Sequence, residues 1–308
     1  MGRVGVDLYP EQIGVRLPEV RSFAKSLGGS ATNVAVGAAR LGRRSAVITK
    51  VGDDPFGEYV RQALERFGVD TRWVGTDPAL RTPIVFCEIF PPDRFPVYFY
   101  REPKAPDMNI AREDLDLAAI AAAPVFWTTG TGLSGEPSRG ATIAALDARR
   151  RREITLHDLD HRPHLWRRPA DARRWAQEAA RRATIVLGNI DEVEMATGSR
   201  DPRPAAAALL EMGVQIAIVK RGHQGVYART AHDELTVPAV ETKVLNGLGA
   251  GDAFGGALCH GLLAGWPLRR TLEIANAAGA IVASRLACAD AMPTFEEIEE
   301  LLAKKVAT

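Results

Sequence analysis

A glycine-rich segment at residues 247–252, Gly-Leu-Gly-Ala-Gly-Asp, holds the residue types that phosphoryl transfer to an alcohol requires. Its small residues leave room for a ligand, and backbone N–H groups at the start of a following helix attract an anion. Asp252, in the first turn of that helix, would stay ionised and accept a proton from a hydroxyl. An anion-binding backbone beside a base predicts phosphoryl transfer. The alternative is a glycine-rich turn in which Asp252 only caps the helix.

A second pair of glycines opens the segment Gly28–Asn33, which has the sequence Gly-Gly-Ser-Ala-Thr-Asn. The side chain of Asn33 offers both a hydrogen-bond donor and an acceptor, and sugar hydroxyls need both. Paired glycines before a helix are common in proteins of many functions. This segment therefore indicates a sugar contact only in combination with a second motif.

Two well-known nucleotide-binding motifs are absent from the sequence. No Gly-x-x-x-x-Gly-Lys-Ser/Thr occurs, so the chain is not a P-loop enzyme. No Gly-x-Gly-x-x-Gly follows the first apolar run, so a dinucleotide-binding Rossmann fold loses its main support.

The elements that would position these segments alternate between short apolar runs and amphipathic stretches. Strands are predicted at Val4–Val6, Ser45–Lys50, Val125–Thr128, Ile154–His157, Thr184–Leu187 and Ile216–Val219. Helices are predicted at Thr32–Leu41, Gly57–Phe67, Ser138–Arg151, Asp171–Arg182 and after Gly249. This alternation predicts an α/β protein with a mostly parallel sheet, helices on both faces, and ligands at the carboxyl ends of the strands. We expect the basic run Arg149–Arg152 to be a solvated helix end.

Two segments, at about residues 8–27 and 81–103, interrupt the alternation. The first has no helical period, and the second is rich in Val, Ile, Phe and Tyr around a Pro-Pro-Asp-Arg-Phe-Pro turn. This pattern predicts strand, turn and strand. Together the segments predict a small antiparallel sheet that acts as a lid on a single domain spanning residues 1–308. An extra edge hairpin is the alternative.

The overall composition is that of an ordinary globular protein with balanced charge. The 308 residues include 39 Lys and Arg and 38 Asp and Glu, a formal net charge of +1. This balance argues against a nucleic-acid coat and against a polybasic membrane binder. The cysteines, Cys87, Cys259 and Cys288, lie far apart in the sequence, which excludes a disulfide framework and a Cys-based zinc site. We expect a cytoplasmic protein without nucleic-acid or membrane partners.

Taken together, the motifs resemble those of the ribokinase-like sugar kinases, the PfkB family. Residues 28–35, followed by Gly42 and Gly52, are similar to the family's N-terminal signature, and residues 249–252 to its C-terminal signature. Residues 189–192 (Asn-Ile-Asp-Glu) resemble its Asn-x-x-Glu motif, and residues 220–225 its nucleotide-loop strand and turn. The matches occur in the family's order over nearly the whole chain. The resemblance implies a ribokinase-like three-layer sandwich with a mostly parallel central sheet, a small β-sheet lid and ATP-dependent kinase activity.

The resemblance also implies roles on the acceptor side of the reaction. Asp252 would deprotonate the acceptor hydroxyl. The anion hole for the transferred phosphoryl group would be formed by the backbone amides of Gly249, Ala250 and Gly251. Sugar hydroxyls would be bound by Asp7, Gly29 and Asn33. The lid would close over the sugar and pair two chains into a homodimer.

On the nucleotide side, the resemblance implies ATP and Mg²⁺ as ligands. ATP would be contacted by Lys220, Gly222, Gly225 and Asn276. Asn189 and Glu192 would organise Mg²⁺ through water, which suits a cation that keeps its hydration shell. One position departs from the family pattern: the family usually has an aspartate three residues before Gly-Ala-Gly-Asp, and here it is Asn246. That aspartate helps to bind a monovalent cation in several members, so the resemblance does not carry a K⁺ site over to this chain.

Two arginine-bearing stretches favour an acidic acceptor. Arg101 lies at the end of the predicted lid. Residues 156–166 resemble the Asp-x-Asn-x-Arg-x-x-Leu-Trp pattern of sugar-acid kinases, with Asp160 where asparagine is usual. A guanidinium group matches a carboxylate or phosphate with two parallel hydrogen bonds. We assign Arg101 to the substrate carboxylate and Arg162 to either the carboxylate or the γ-phosphate.

Within the family, residues 2–10, 100–102 and 158–163 resemble most the branch that phosphorylates the 6-hydroxyl of an open-chain keto acid in myo-inositol catabolism. Three alternatives stay open: a kinase of a related keto-deoxy sugar acid, a neutral-sugar kinase such as a fructokinase or ribokinase, and a non-catalytic sensor of sugar or nucleotide. His157, His161 and His164 lie within eight residues, which permits a metal site. We expect instead that at least one of them lines the substrate pocket.

Overall fold

The computed structural model describes residues 1–152 and 154–306, with side chains up to Lys304 at the C-terminal end. Contacts within the chain divide these residues into two compact units. The middle unit comprises residues 1–2 and 108–239, and the outer unit comprises residues 3–107 and the described part of 240–308. The single domain expected over residues 1–308 stays a prediction.

The outer unit begins with strands and helices from the first third of the chain. They are β1 (Gly5–Pro10), β2 (Phe23–Gly28), α1 (Ser30–Arg40), β3 (Ser45–Ala46), β4 (Thr49–Gly52), α2 (Pro55–Arg66), β5 (Val69–Asp70), β6 (Val74–Asp77), β7 (Ile84–Cys87) and β8 (Val97–Tyr100). Both helices predicted in this region are present. The run predicted as one strand at 45–50 forms β3 and β4, which pair separately with β5 and β6.

Strands from both predicted lid segments form one sheet with the order β2-β1-β7-β8. The predicted hairpin is confirmed, because β7 and β8 pair antiparallel with Ile84 opposite Tyr100. Two expectations were wrong. The first strand, expected in the main sheet, is part of this sheet instead, because its register pairs it with β2 and β7. The sheet is also mixed rather than antiparallel, since β1 and β7 run parallel.

The middle unit contains the main sheet and most of the remaining helices. Its elements are α3 (Leu117–Ala122), β9 (Val125–Thr129), α4 (Ser138–Arg149), β10 (Ile154–Asp158), α5 (Pro169–Ala180), β11 (Ile185–Asn189), α6 (Ile190–Thr197), α7 (Pro202–Glu211), β12 (Ile216–Lys220), β13 (Val226–Arg229) and β14 (Glu234–Val237). The sheet order is β14-β13-β12-β11-β10-β9. Strands β9 to β12 are parallel, as predicted, and β13 and β14 continue the sheet antiparallel.

Packing in the middle unit explains why its strands read as continuous apolar runs. Strands β11 and β12 bury Val186, Ala217 and Val219 in a core shared with helices α5, α6 and α7. Arg149, expected at a solvated helix end, is only 2% exposed. Its Nη1 donates to the carbonyl of Ile120 at 3.0 Å and its Nε to Thr155 Oγ1 at 3.0 Å. Its burial is possible because protein acceptors replace water around the guanidinium.

The outer unit ends with helices α8 (Ala250–Leu263), α9 (Leu268–Ala283) and α10 (Phe295–Val306). The small residues of α8 allow a very close approach to α1. A Cβ built on Gly256 would lie 2.9 Å from Gly37 Cα and 2.9 Å from the Ala38 nitrogen. Glycine at position 256 therefore allows the second turn of α8 to cross α1 at this short distance. Among the helices of residues 1–152 and 154–306, none is both long and apolar enough to cross a lipid bilayer.

Candidate active site

The predicted base, Asp252, is held by two donors from helix α1. Ser30 Oγ donates to Asp252 Oδ1 at 2.8 Å, and Asn33 Nδ2 donates to Asp252 Oδ2 at 2.8 Å. Each oxygen of the carboxylate thus accepts a hydrogen bond from a different residue in the first turn of α1. Hydrogen bonds to an ionised acceptor are among the stronger ones in proteins, so they fix the orientation of the carboxylate.

The turn before Asp252 has the geometry expected of an anion-binding helix start. Gly249 is the N-cap of α8 and has φ +82°, a left-handed conformation that favours glycine. The N–H groups of Asp252 and Ala253 donate to its carbonyl at 3.0 and 2.9 Å. The N–H groups of Ala250 and Gly251 lie at the start of the first turn, where a helix supplies no acceptor of its own. This is the local structure that the sequence predicts for a phosphoryl-binding turn.

The side-chain amide of Asn33 has two polar atoms: Nδ2 donates to Asp252, and Oδ1 faces no donor among the described residues. The residue is 2% exposed, and its Oδ1 has no hydrogen-bond partner among the described residues. A buried acceptor without a donor is costly unless a ligand or water satisfies it. Asn33 Oδ1 is therefore suited to accept a hydrogen bond from a ligand hydroxyl.

The carboxylate of Asp7 lies against the backbone of Gly28, in the space that a side chain at position 28 would fill. A Cβ on Gly28 would come within 2.0 Å of Asp7 Oδ1, so only glycine leaves room for this carboxylate. The pKa of Asp7 is raised to about 6, mainly by burial and in smaller part by the charge of Asp252. A hydrogen bond from Tyr9 and the charge of Arg3 lower it.

Gly29 needs glycine for two reasons. Its φ is +101°, and a Cβ there would lie 2.4 Å from the Arg3 carbonyl oxygen. The close approach brings the start of α1 against Arg3 and Val4, which directly precede the strand that carries Asp7. Among the residues predicted to bind sugar, Asp7, Gly29 and Asn33 are therefore brought together in the outer unit.

The fold brings two distant cysteines into one cluster that sequence patterns did not indicate. Tyr9, Cys87, Ile89 and Cys288 form a buried core of the outer unit. Tyr9 Oη lies 2.7 Å from Cys288 Sγ and 3.1 Å from Asp7 Oδ2. Burial raises the pKa of Cys288 well above its ordinary value and that of Cys87 to about 12. Both thiols thus stay protonated, and all three cysteines of the chain are free and buried.

Arg101, assigned to the substrate carboxylate, makes a buried ion pair within the protein. Its Nη2 contacts Asp107 Oδ1, and the two side chains are 6% and 1% exposed. Its Nη1 donates to the Val4 carbonyl at 3.5 Å, and Asp107 Oδ2 accepts the Val4 N–H at 3.0 Å. The pair therefore holds the backbone of Val4, and a substrate carboxylate would have to compete with Asp107 for Arg101.

In the middle unit, charged side chains gather at the carboxyl ends of neighbouring strands. They are Asp158, Asp160, Arg162, Glu192 and Lys220. Lys220 Nζ lies 3.6 Å from Asp158 Oδ2, and Arg162 Nη2 lies 2.9 Å from Asp160 Oδ1. Burial raises the pKa of Asp158 to about 7, partly opposed by the charge of Lys220 and assisted by Glu192 and Asp160. The sugar-acid-kinase pattern included Asp158 without giving it a role of its own, although its place at a strand end was a usable signal.

The Asn-x-x-Glu motif forms a capping box at the start of α6. Asn189 Oδ1 accepts the N–H of Glu192 at 3.0 Å, and Glu192 Oε2 accepts the N–H of Asn189 at 2.7 Å. Glu192 is 6% exposed, while Asn189 is exposed. The oxygens of both side chains belong to the donor class that Mg²⁺ prefers, and the capping bonds orient them for a hydrated ion. The residues present therefore fit the metal role that the motif implies.

The remaining nucleotide-side residues lie in both units. Gly222 and Gly225 form the turn after β12, with φ +57° and +81°. A Cβ on Gly225 would lie 2.1 Å from the Val237 carbonyl oxygen, so this turn also requires glycine. In the outer unit, Asn276 is half-buried on α9, one turn before Gly279, which packs against the Ala250 carbonyl.

Asn246, the departure from the family pattern, bridges two loops with its amide. It is fully buried; its Nδ2 donates to the Leu286 carbonyl at 2.5 Å and its Oδ1 accepts the Leu248 N–H at 3.0 Å. The amide thus links the segment after α9 to the turn before Gly249.

The three histidines that lie close together in the sequence differ in their burial in the structure. His157 is buried next to Thr128, with 3.0 Å between Nδ1 and Oγ1, and burial lowers its pKa to about 4. His161 is half-buried and His164 is exposed. No three His, Cys, Asp or Glu side chains of residues 1–152 and 154–304 converge as ligands of a metal ion.

The sequence is similar to those of known carbohydrate kinases. The pfkB family carbohydrate kinase model matches residues 2–295 of the chain. A 5-dehydro-2-deoxygluconokinase of Photobacterium profundum is 36% identical, over 98% of this chain and 93% of its own. One from Geobacillus kaustophilus is 32% identical, over 98% of this chain and 92% of its own. The resemblance of the sequence to this group of relatives within the family is thus confirmed.

A solved structure supports the same assignment of the fold. The crystal structure of fructokinase from Vibrio cholerae O395, in a form with bound fructose, ADP and calcium ion, matches with a TM-score of 0.85. The two chains are 26% identical, and the match covers 98% of this chain and 97% of that one. The predicted ribokinase-like α/β fold is therefore confirmed. From the family match over nearly its whole length, the chain belongs to the pfkB family of carbohydrate kinases.

Proposed function

We propose that the chain is an ATP-dependent kinase that phosphorylates the 6-hydroxyl of 5-dehydro-2-deoxygluconate, in myo-inositol catabolism. The names of its 32–36% identical relatives support this acceptor. The observation that carries the proposal is the carboxylate of Asp252, held through both oxygens at 2.8 Å at the N-terminus of α8. A base fixed beside an anion-attracting helix start is suited to activate a hydroxyl for attack on phosphorus.

In the proposed reaction, the acceptor oxygen forms a bond to the γ-phosphorus while the bond to the β-phosphate oxygen breaks and ADP leaves. Asp252 takes the proton of the acceptor hydroxyl, and Ser30 and Asn33 keep its oxygens oriented for that transfer. The backbone amides of Gly249, Ala250 and Gly251 stabilise the negative charge of the transferring group. Mg²⁺ supplies charge neutralisation on the phosphates when bound.

The proposed binding roles follow the local chemistry of each residue. Asp7 and Asn33 accept hydrogen bonds from sugar hydroxyls, and Gly29 lets the chain approach them. ATP is contacted by residues of the turn after β12 and of α9, namely Lys220, Gly222, Gly225 and Asn276. Asn189 and Glu192 hold hydrated Mg²⁺. Arg162, 41% exposed and paired with Asp160, is proposed for an anionic group of the phosphates or acceptor.

We also propose a cytoplasmic homodimer that pairs through the lid sheet. The face of this sheet opposite Asp7 carries an aromatic row, with Phe86 edge-on to Phe23 and to Tyr100 at 5.3 Å each. Tyr98 and Tyr100 are 40% and 63% exposed. An aromatic face on an open sheet is suited to a protein interface. Sedimentation of wild type and Tyr100→Arg tests this: a dimer that the variant shifts to monomer supports pairing here, and a monomeric wild type refutes it.

A neutral-sugar kinase is the second candidate. The pairing of Arg101 with Asp107 favours it, because this arginine is already neutralised, and the similar fructokinase structure contains fructose. ADP release measured with 5-dehydro-2-deoxygluconate, 2-keto-3-deoxygluconate, fructose and ribose separates the candidates. We expect the highest kcat/KM with the first acid. A higher value with fructose or ribose would overturn the acid acceptor, and no turnover of any of the four would favour a non-catalytic sensor.

A further inference from the structure

A second buried arginine lies on the face of the lid sheet that carries Asp7. The register places Asp7 opposite Val85 and Val85 opposite Phe99, so these three side chains share one face. Arg3 is 8% exposed, and its guanidinium carbon lies 5.4 Å from the centroid of the Phe99 ring. The Arg3 guanidinium is therefore on the Asp7 face, stacked over an aromatic ring that restricts its motion.

The charges around Asp7 show why a cation at this place is useful. The positive charge of Arg3 lowers the pKa of Asp7 and the negative charge of Asp252 raises it, so both charges act on the same carboxylate. A sugar acid whose hydroxyls bind Asp7 and Asn33 brings a third negative charge near two aspartates. Without a buried cation nearby, the two aspartates would repel the substrate carboxylate. The carboxylate would also lose its hydration on binding, and no protein charge would offset that cost.

Arg101 is not the arginine best placed for this task. Its guanidinium is occupied by Asp107 in a buried ion pair, and the pair also holds the N–H and carbonyl of Val4. Val4 directly follows Arg3 in the chain. Arg101 and Asp107 therefore fix the backbone from which the side chain of Arg3 projects.

We propose that Arg3 binds the carboxylate of the acceptor, and that Arg101 acts as a positioning residue for Arg3 through Asp107 and Val4. The proposal rests on the proposed function, since it presumes a sugar-acid acceptor. The planar guanidinium can donate two parallel hydrogen bonds to the carboxylate. Asp7 and Asn33 then select the hydroxyl pattern, and Arg3 distinguishes an acid from a neutral sugar.

The test compares 5-dehydro-2-deoxygluconate with its primary amide, which has the same shape and no charge. The measured quantity is the ratio of kcat/KM for the acid to kcat/KM for the amide, in the wild type and in Arg3→Gln. This ratio does not depend on how much of a preparation is folded, so a destabilised variant is still informative. We expect Arg3→Gln to lower the ratio by about 100-fold or more. A ratio within threefold of the wild type would overturn the proposal.

Conservative variants distinguish the two arginines. Arg3→Lys keeps the charge but loses the planar fork, and we expect its ratio to fall by about tenfold. Arg101→Lys keeps a buried cation on Asp107, and Asp107 still accepts the Val4 N–H, so the ratio should stay within about twofold. The reverse pattern would show that Arg101 binds the carboxylate and would overturn the assignment of Arg3. If the wild type itself shows no preference for the acid, the proposed function fails first and this proposal with it.

Discussion

Asn33 donates its amide to Asp252 at 2.8 Å while its own carbonyl oxygen, buried in the protein, has no protein donor among the described residues. One side chain thus both orients the proposed base and offers an acceptor to a ligand. Ser30 Oγ donates to the other oxygen of Asp252 at 2.8 Å. We assign Ser30 this orienting contact alone and no contact with the ligand. The two residues form a natural pair for separating base orientation from substrate binding.

We predict that Asn33→Ala and Ser30→Ala lower activity in different ways. Each removes one hydrogen bond to a carboxylate, worth about 1.5–3 kcal/mol, so kcat should fall by roughly 10- to 100-fold in both. Only Asn33→Ala also removes an acceptor for a sugar hydroxyl, so only it should raise the acceptor KM. Steady-state kinetics with saturating ATP measures both constants. An unchanged acceptor KM in Asn33→Ala would exclude the binding role of Asn33.

The left-handed turn at Gly249 gives a prediction about stability. An alanine Cβ there would lie 2.5 Å from Cys288 Sγ in addition to straining a residue with φ +82°. Gly68 provides the matched control, because its φ is +74° and a Cβ would have nothing within 4 Å. We expect Gly68→Ala to lower the free energy of unfolding by about 1 kcal/mol and Gly249→Ala by about 3 kcal/mol. Equal losses in urea denaturation would show that the Cys288 contact relaxes freely.

The pairing of Asp158 with Lys220 predicts how ATP binding depends on pH. The pKa of Asp158 is raised to about 7, mainly by burial, with Glu192 and Asp160 raising it and Lys220 lowering it. Above this pH the ionised carboxylate, 3.6 Å from Lys220 Nζ, competes with the phosphates for the ammonium group. As the pH falls through 7, Asp158 becomes protonated and the competition ends.

We therefore expect the KM for ATP to rise between pH 6 and 8 in the wild type. Asp158→Asn should have a lower KM at pH 8 and lose this part of the pH dependence. Because ATP titrates equally with both enzymes, the difference between their profiles isolates Asp158. Parallel profiles would refute the competition between Asp158 and the nucleotide for Lys220.

The amide of Asn246 predicts indifference to monovalent cations. Its Nδ2 already donates to the Leu286 carbonyl, so the loop is held without a bound ion. We expect equal kcat in potassium, sodium and tetramethylammonium salts. Asn246→Asp replaces the donor by a buried carboxylate that faces a carbonyl, so this variant should be less stable and should regain activity with added K⁺. Activation of the wild type by K⁺ would contradict this account of Asn246.

Local motifs in the sequence predicted several local structures of the candidate site, because these structures depend on backbone geometry over a few neighbouring residues. The turn at Gly249, the place of Asp252 in the first turn of α8 and the turn at Gly225 follow from glycine spacing and helix starts. The capping box of Asn189 and Glu192 was not predicted but could have been, since an asparagine followed three residues later by a glutamate can satisfy the first N–H groups of a helix.

Features that depend on tertiary contacts could not be predicted in this way. An apolar run such as Val4–Val6 does not show which sheet it will join, and it joined the lid sheet. The ion pair that occupies Arg101 and the carbonyl groups that bury Arg149 come from segments that the sequence pattern does not connect to them. The same holds for Cys87 and Cys288, which are distant in sequence and share one cluster.

The most direct test of the central claim is ADP release from ATP, Mg²⁺ and 5-dehydro-2-deoxygluconate by the wild type and by Asp252→Asn. The account predicts turnover by the wild type and a loss of kcat by about 1,000-fold or more in the variant, since general base catalysis is removed. ATP affinity, measured by calorimetry, should be unchanged in Asp252→Asn. Full turnover by Asp252→Asn would contradict the role of Asp252 as the base.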